Sequence, residues 1–233
     1  MQDLPLGRAA YGKIPHLPGS RTGPADRHAP PEVAHACTVE AGPGAAVVVE
    51  EKLDGSCVCA ARVGDEVLAL GREGRLAARS PNEGRRLWAA WVEAHRARFL
   101  AVLRPGERLV GEWLALVHST RYALAHEPFV AFDLFQGGER LVRAALEARL
   151  APAGFAHPAL LHRGGALPVE AALALLGERG RHGALDPAEG AVWRVEEAGR
   201  VRFVAKYVRP GKRDGALLPE VTGAPALWNW RPS

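Results

Sequence analysis

Lysine can do covalent chemistry on phosphorus if it is placed at a cleft, and Lys52-Leu53-Asp54-Gly55 offers such a placement. Glu51 closes the apolar run Ala45–Glu51, so Lys52 sits at a strand end, and Gly55 can take the tight turn that follows. A neutral amine is a competent nucleophile. An unperturbed lysine, with a pKa of about 10.4, is almost wholly protonated at neutral pH, so neighbouring cations or desolvation must favour deprotonation. The tetrapeptide alone fits a charged turn equally well. Its companions follow in order: Gly71-Arg72-Glu73-Gly74-Arg75, Val110-Gly111-Glu112-Trp113, Phe129 to Leu134 with Phe132-Asp133, Glu189-Gly190, and Val204-Ala205-Lys206-Tyr207-Val208.

This ordered set, spanning residues 46–210, resembles the covalent nucleotidyltransferase superfamily of ATP- and NAD-dependent DNA ligases, RNA ligases and mRNA capping enzymes. The resemblance is to the RNA ligase-like catalytic domain in particular. It implies an α+β, ATP-grasp-like nucleotidyltransferase domain with mixed or antiparallel sheets flanked by helices. It also implies ATP as substrate, Mg²⁺ or Mn²⁺ as cofactor, and nucleic acid ends as partners. Lys52 would attack the α-phosphate to give lysyl-AMP. The AMP would pass to a 5′-phosphate, and a 3′-hydroxyl would then displace it. Lys206 matches the lysine that contacts the α-phosphate, Glu112 the carboxylate that accepts a ribose hydroxyl, and Phe132 the aromatic that stacks on adenine. Glu51 joins the nucleotide-binding set. Arg72 aligns with an arginine that binds a ribose oxygen or the end phosphate, with Arg75 as its competitor. Glu189 matches a metal-binding acid, and Asp54 is placed to orient the metal or the lysine. Arg75, His118 and Arg209 are candidates for nucleic acid contact.

The sequence departs from the superfamily pattern at two points. Phage-type RNA ligases carry Asn five residues after the nucleophile, where this chain has Cys57. Many relatives carry Lys-x-Lys on the last strand, whereas Val204 and Val208 flank Lys206. Only 27 residues follow Lys206, too few for the OB-fold that DNA ligases and capping enzymes append, which needs roughly 70 to 100. With no NAD-specific helical domain either, an ATP-dependent RNA ligase is favoured. A DNA nick ligase that borrows a partner's domain and a non-catalytic end-binding module are the alternatives.

The elements that must position these residues follow from periodicity. Strands are expected at Ala45–Glu51, Ser56–Val63, Glu66–Leu70, Arg108–Leu116, Phe129–Phe135, Ala191–Val195 and Arg200–Val208. An amphipathic helix is expected over Arg85–Val102, with further helices near 139–151 and 168–179. Residues 1–44, rich in Pro, Gly and His, form a lead-in with few core contacts expected; 45–210 form the catalytic domain and 211–233 a tail that packs back through Trp228 and Trp230. Composition is that of an ordinary soluble chain, 48% hydrophobic and 24% charged, with a net charge of +4 that suits a polyanion partner. The odd count of three cysteines suggests neither a disulfide framework nor a zinc site. No apolar stretch reaches the roughly 20 residues of a membrane span, and the N-terminus lacks a signal pattern, so a cytoplasmic protein is expected.

Overall fold

The computed structural model describes residues 4–232; Met1–Asp3 and Ser233, at the ends of the expected lead-in and tail, lie outside the described residues. The β-branched run becomes strand β1 (Ala45–Lys52), which belongs to a four-stranded antiparallel sheet with β7 (Leu160–Gly164), β8 (Gly190–Glu197) and β9 (Arg200–Val208) in the order β7-β1-β8-β9. The chain then crosses at Leu53–Gly55 into a second antiparallel sheet. Its strands are β2 (Ser56–Val63), β3 (Glu66–Gly71), β4 (Arg108–Trp113), β5 (Phe129–Gln136) and β6 (Glu139–Arg140), ordered β3-β2-β4-β5-β6. The crossing is tight: a Cβ on Gly55 would lie 2.6 Å from the Trp113 carbonyl oxygen, so only glycine fits.

Each sheet buries one face under helices. Trp88 and Trp91 of α2 (Glu83–Ala94) and Phe99 of α3 (Arg96–Val102) pack on Trp113 and Phe129 of the second sheet, with the Trp88 and Phe129 rings 4.7 Å apart. Leu146 and Leu150 of α4 (Arg143–Leu150) complete this core. On the first sheet, Val47, Val49, Trp193 and Val195 meet Val33, Ala34 and Cys37 of α1 (Pro31–Thr38) and Ala172 of α5 (Val169–Leu176). A last short helix, α6 (Pro219–Thr222), lies in the tail. Trp228 and Trp230 pack against the aromatic core, and Asn229 donates its side-chain amide to the Leu114 carbonyl.

Several elements differ from the sequence expectation. The stripe over 85–102 is one apolar face but two helices: the His95 ring donates to the Trp91 carbonyl at 2.8 Å, and the axis breaks there. The fourth strand ends at Trp113 because Leu114 donates to Pro128 and Leu116 pairs with Trp228 instead. Residues 139–140 form a hairpin edge before α4, and β7 has no alternating signature. The lead-in contributes more core than expected. Leu17, Ala10 and Tyr11 are buried, and α1 covers the first sheet. Its prolines hide the periodicity, while its backbone runs beside β9: Lys206 donates to Pro15, Leu17 to Lys206 and Arg21 to Val208. Among the described residues no helix is long and apolar enough to cross a membrane.

Candidate active site

Where the two sheets separate, a cleft of about 380 Å³ opens over the crossing at Leu53–Gly55. Lys52, the last residue of β1, pairs in register with Gly190, which places its amine 2.6 Å from the Glu189 carboxylate. Gly190 is required there because a Cβ would collide with the Tyr207 carbonyl of β9. Glu112 reaches the same floor from β4 and accepts the Gly55 amide at 3.0 Å. Asp54 lines the cleft too, and one of its oxygens accepts the Ser119 amide and the Thr120 hydroxyl, both at 3.0 Å, while its own amide donates to the Tyr122 hydroxyl. The carboxylate thus fastens the crossing to the 118–122 loop.

Charge in this cleft is unbalanced. Burial alone lowers the pKa of Lys52, but Glu189, Glu112 and Asp54 outweigh it and hold the amine well above its usual value. The sequence expectation is an amine depressed by neighbouring cations or desolvation; here it donates to the Glu189 carboxylate at 2.6 Å and to the Leu53 carbonyl at 3.3 Å, and the acids around it act in the opposite direction. Burial, with Glu189 and Asp54 nearby, pushes Glu112 up to about 8 against the pull of Lys52, and burial also raises Glu189. Lys206, facing Val192 across the β8–β9 pair, is lowered by burial and by the charge of Lys52. Among the described residues no three acids, histidines or cysteines converge as a metal cage. Glu112 and Glu189 are nonetheless hard oxygen donors on one cleft floor, the donor chemistry of a divalent cation that fills its shell with water and phosphate oxygens.

The remaining expected residues divide. Phe132 lines the cleft beside Val192, its ring edge-on to Tyr11 at 5.3 Å, and Arg72 lines it with a guanidinium that donates to the Gly12 carbonyl. Glu51 lines it too, although its carboxylate accepts the Arg181 amide. His118 is a cleft residue, hydrogen bonded to Ser56 at 3.0 Å and lowered in pKa by burial. Arg75 is exposed outside the cleft, and Arg209 donates to the Gly177 and Glu178 carbonyls at the end of α5, so neither of these two candidates lines the cleft. Cys57, paired with Glu112 across β2 and β4, also faces the cleft.

His16, Arg21 and Arg194 all line the cleft; the sequence allows His16 and Arg21 either an approach to a 5′-phosphate end or a place in a structural arm, and does not single out Arg194. His16 is buried beside Lys206, and burial followed by that lysine's charge pushes its pKa down to about 4. Arg194, 2% exposed, donates to Asp133 at 2.7 Å and to the Phe132 carbonyl at 3.1 Å, while Asp133 also accepts Tyr11 and Arg140. An arginine inside the apolar run Ala191–Val195 was the visible signal: buried guanidinium needs a buried acid.

Solved structures share this architecture. Naegleria gruberi RNA ligase with PPi superimposes with a TM-score of 0.56 at 19% identity, covering 86% of this chain and 59% of that chain. A variant of the same ligase with ATP and Mn gives 0.56 at 14% identity, covering 86% and 56%. An archaeal ATP-dependent RNA ligase gives 0.50 at 19% identity, covering 85% and 48%. The chain therefore spans about half to three-fifths of the length of these structures, and the likeness is one of fold. No curated protein sequence matches it. Residues 45–208, the crossing, both sheets and every acid of the cleft floor included, match the RNA ligase family model, and the chain belongs to the RNA ligase family.

Proposed function

We propose that this chain is an ATP-dependent RNA ligase that joins 5′-phosphate and 3′-hydroxyl ends through a lysyl-AMP intermediate on Lys52. The observation that carries the proposal is the lysine amine at the floor of a cleft, with Glu189 at 2.6 Å and with Lys206 and Phe132 among its walls. Residues 45–210 would be the catalytic unit, with the lead-in and tail closing its sides. The neutral Lys52 amine attacks the α-phosphorus of ATP; an N–P bond forms, the bond to the β-phosphate oxygen breaks, and pyrophosphate leaves. The 5′-phosphate of RNA then displaces Lys52 from AMP, and the 3′-hydroxyl attacks that phosphate with release of AMP.

In this scheme Phe132 stacks on adenine, Val192 covers its other side, and Glu112 accepts a ribose hydroxyl. Glu51 borders the nucleotide and Arg72 holds a phosphate or ribose oxygen. Lys206 meets the α-phosphate, where its charge stabilises the transition state and favours the neutral form of Lys52. Glu189 would hold Mg²⁺ or Mn²⁺, with Asp54 positioned behind it by Ser119 and Thr120; the ion when bound supplies charge stabilisation to the phosphate oxygens. Once Glu189 is engaged in this way, Lys52 loses its strongest anionic partner. Relatives whose structures hold ATP and Mn support the choice of nucleotide and ion. The test is incubation with α-labelled ATP and Mg²⁺ followed by denaturing electrophoresis of the wild type and Lys52→Ala. Label on the wild type alone is expected, and an unlabelled wild type overturns the proposal. Offering the labelled protein nicked RNA, nicked DNA and single-stranded RNA then separates the substrates; transfer to DNA alone refutes the RNA assignment.

A further inference from the structure

Beside the cleft, residues 71–86 carry five arginines, Arg72, Arg75, Arg79, Arg85 and Arg86, against two acids, Glu73 and Glu83. This stretch is not a loose loop. Gly71 donates to the Arg75 carbonyl through its partner turn, Leu70 pairs with Leu76, a single 3₁₀ turn covers Ala77–Arg79, and Asn82 caps α2 by accepting the Arg85 amide. Buried Ala77, Trp88 and Val92 tie it to the aromatic core. Arg72 and Arg85 open onto the cleft, while Arg75, Arg79 and Arg86 continue as exposed residues away from it. Arg85 pairs with Glu73 at 3.5 Å and Glu83 with Arg231 at 3.0 Å, which leaves Arg75, Arg79 and Arg86 without a carboxylate partner among the described residues. The Arg86 guanidinium is held by the Ser80 and Pro81 carbonyls, at 2.9 and 2.7 Å, with further N–H groups still available.

We infer that this rim is the docking surface for the phosphodiester backbone of the strand whose end enters the cleft, an inference that rests on the nucleic acid reading of the site. Exposed cations on the same hydrogen-bonded stretch as two arginines of the cleft match a polyanion that must reach the pocket end-first. Guanidinium forks bind phosphate oxygens in pairs and carry no sequence preference, as an enzyme joining ends of varied sequence requires. A rigid platform also loses little conformational freedom on binding. Arg72 and Arg85 meet the terminal nucleotide, and Arg75, Arg79 and Arg86 meet the backbone beyond it.

The experiment uses the full chain with Arg75→Gln, Arg79→Gln and Arg86→Gln combined, beside a charge-matched control of Arg104→Gln, Arg179→Gln and Arg200→Gln, none of which lines the cleft. Fluorescence anisotropy with labelled 5′-phosphorylated RNA, nicked duplex and single-stranded, is measured from low to high KCl. The rim variant is expected to bind at least tenfold more weakly at about 0.1 M salt, with a log–log salt slope shallower by about 2, since each lost phosphate contact contributes about 0.7 to 0.9. The control is expected to keep the wild-type slope. Circular dichroism establishes that each variant is folded, and labelling by ATP stays at the wild-type level because no cleft residue is altered. A folded rim variant with the wild-type slope overturns the inference, as does an equal loss in the control. Failure of Lys52 to label would overturn the ligase proposal while leaving the salt slopes to decide this one.

Discussion

Asp133 joins the two sheets behind the cleft, and its replacement by asparagine tests whether that junction holds the domain together. Its carboxylate is fully buried and accepts Arg194 at 2.7 Å, the Tyr11 hydroxyl at 2.7 Å and Arg140 at 3.0 Å, while Arg194 leans toward Glu50 at 3.4 Å. Asparagine keeps the volume but turns one acceptor oxygen into a donor that faces either Arg194 or the Tyr11–Arg140 pair. Arg194 loses the nearer of its two charge partners and keeps Glu50 at 3.4 Å. Breaking one side of a buried pair costs about 3–5 kcal/mol, and the 3.4 Å contact with Glu50 only partly compensates the buried Arg194. At this chain length that corresponds to a fall of about 6–20 °C in Tm. Urea and thermal denaturation followed by circular dichroism read the change directly. A loss below about 1 kcal/mol would refute the reasoning. The pairing itself is tested by a cycle with Arg194→Met: the double variant should lose at least about 1.5 kcal/mol less than the two single losses added, and strict additivity would show the two residues to be uncoupled.

Glu112→Gln should stabilise the folded protein in alkaline buffer. The folded pKa of Glu112 is raised to about 8 from the ordinary 4.5, so its contribution is fully present below pH 4.5 and is lost as pH rises through 8. Glutamine has no charge to lose, so the variant should equal the wild type near pH 4 and exceed it by about 1–3 kcal/mol at pH 9 in urea titrations, a figure discounted for the opening of this side chain onto the cleft. A less stable variant at pH 9 contradicts the assignment. Tyr122→Phe removes the acceptor for the Asp54 amide, and single-turnover labelling of Lys52 by ATP should slow by about 3- to 10-fold, the worth of one buried hydrogen bond; an unchanged rate would mean that the crossing holds its shape without it. Trp88→Ala removes a fully buried indole from the centre of four aromatic neighbours, and denaturation should report a loss of about 3–5 kcal/mol.

The strands were legible in the sequence where one face is buried, since β-branched runs such as Val47–Val49 and hairpin turns such as Gly64-Asp65 carry their own period. The lead-in was not, because Leu17 is buried through backbone pairing with β9 and no sequence period records such pairing. The break at His95 was hidden for a similar reason: both helices share one apolar stripe, and only a ring-to-carbonyl bond separates them. Within the site, residues adjacent to strand ends could be picked out, because a strand end fixes where a side chain leaves the sheet. Arg209 obeys the same rule and yet caps α5, a destination set by a helix it meets only in three dimensions. His16 and Arg194 needed the tertiary structure too, as their partners lie far along the chain.

The ionic state of Lys52 follows from a count of buried charges. Glu189, Glu112 and Asp54 surround one amine, and Lys206 is the other lysine lining the cleft. Arg21, Arg72, Arg85 and Arg194 line the cleft as well, so a nucleotide triphosphate would meet cations on the walls and carboxylates on the floor. Those carboxylates hold the Lys52 amine well above its usual value, while Lys206 is lowered by burial and by the charge of Lys52. In the proposed mechanism Glu189 would exchange its lysine for a divalent cation, which would make release of the Lys52 amine conditional on a loaded cleft. Under the proposed ligase mechanism a lysine held by carboxylates is therefore not at odds with catalysis: a cation that engaged Glu189 would remove the nearest acid from the amine.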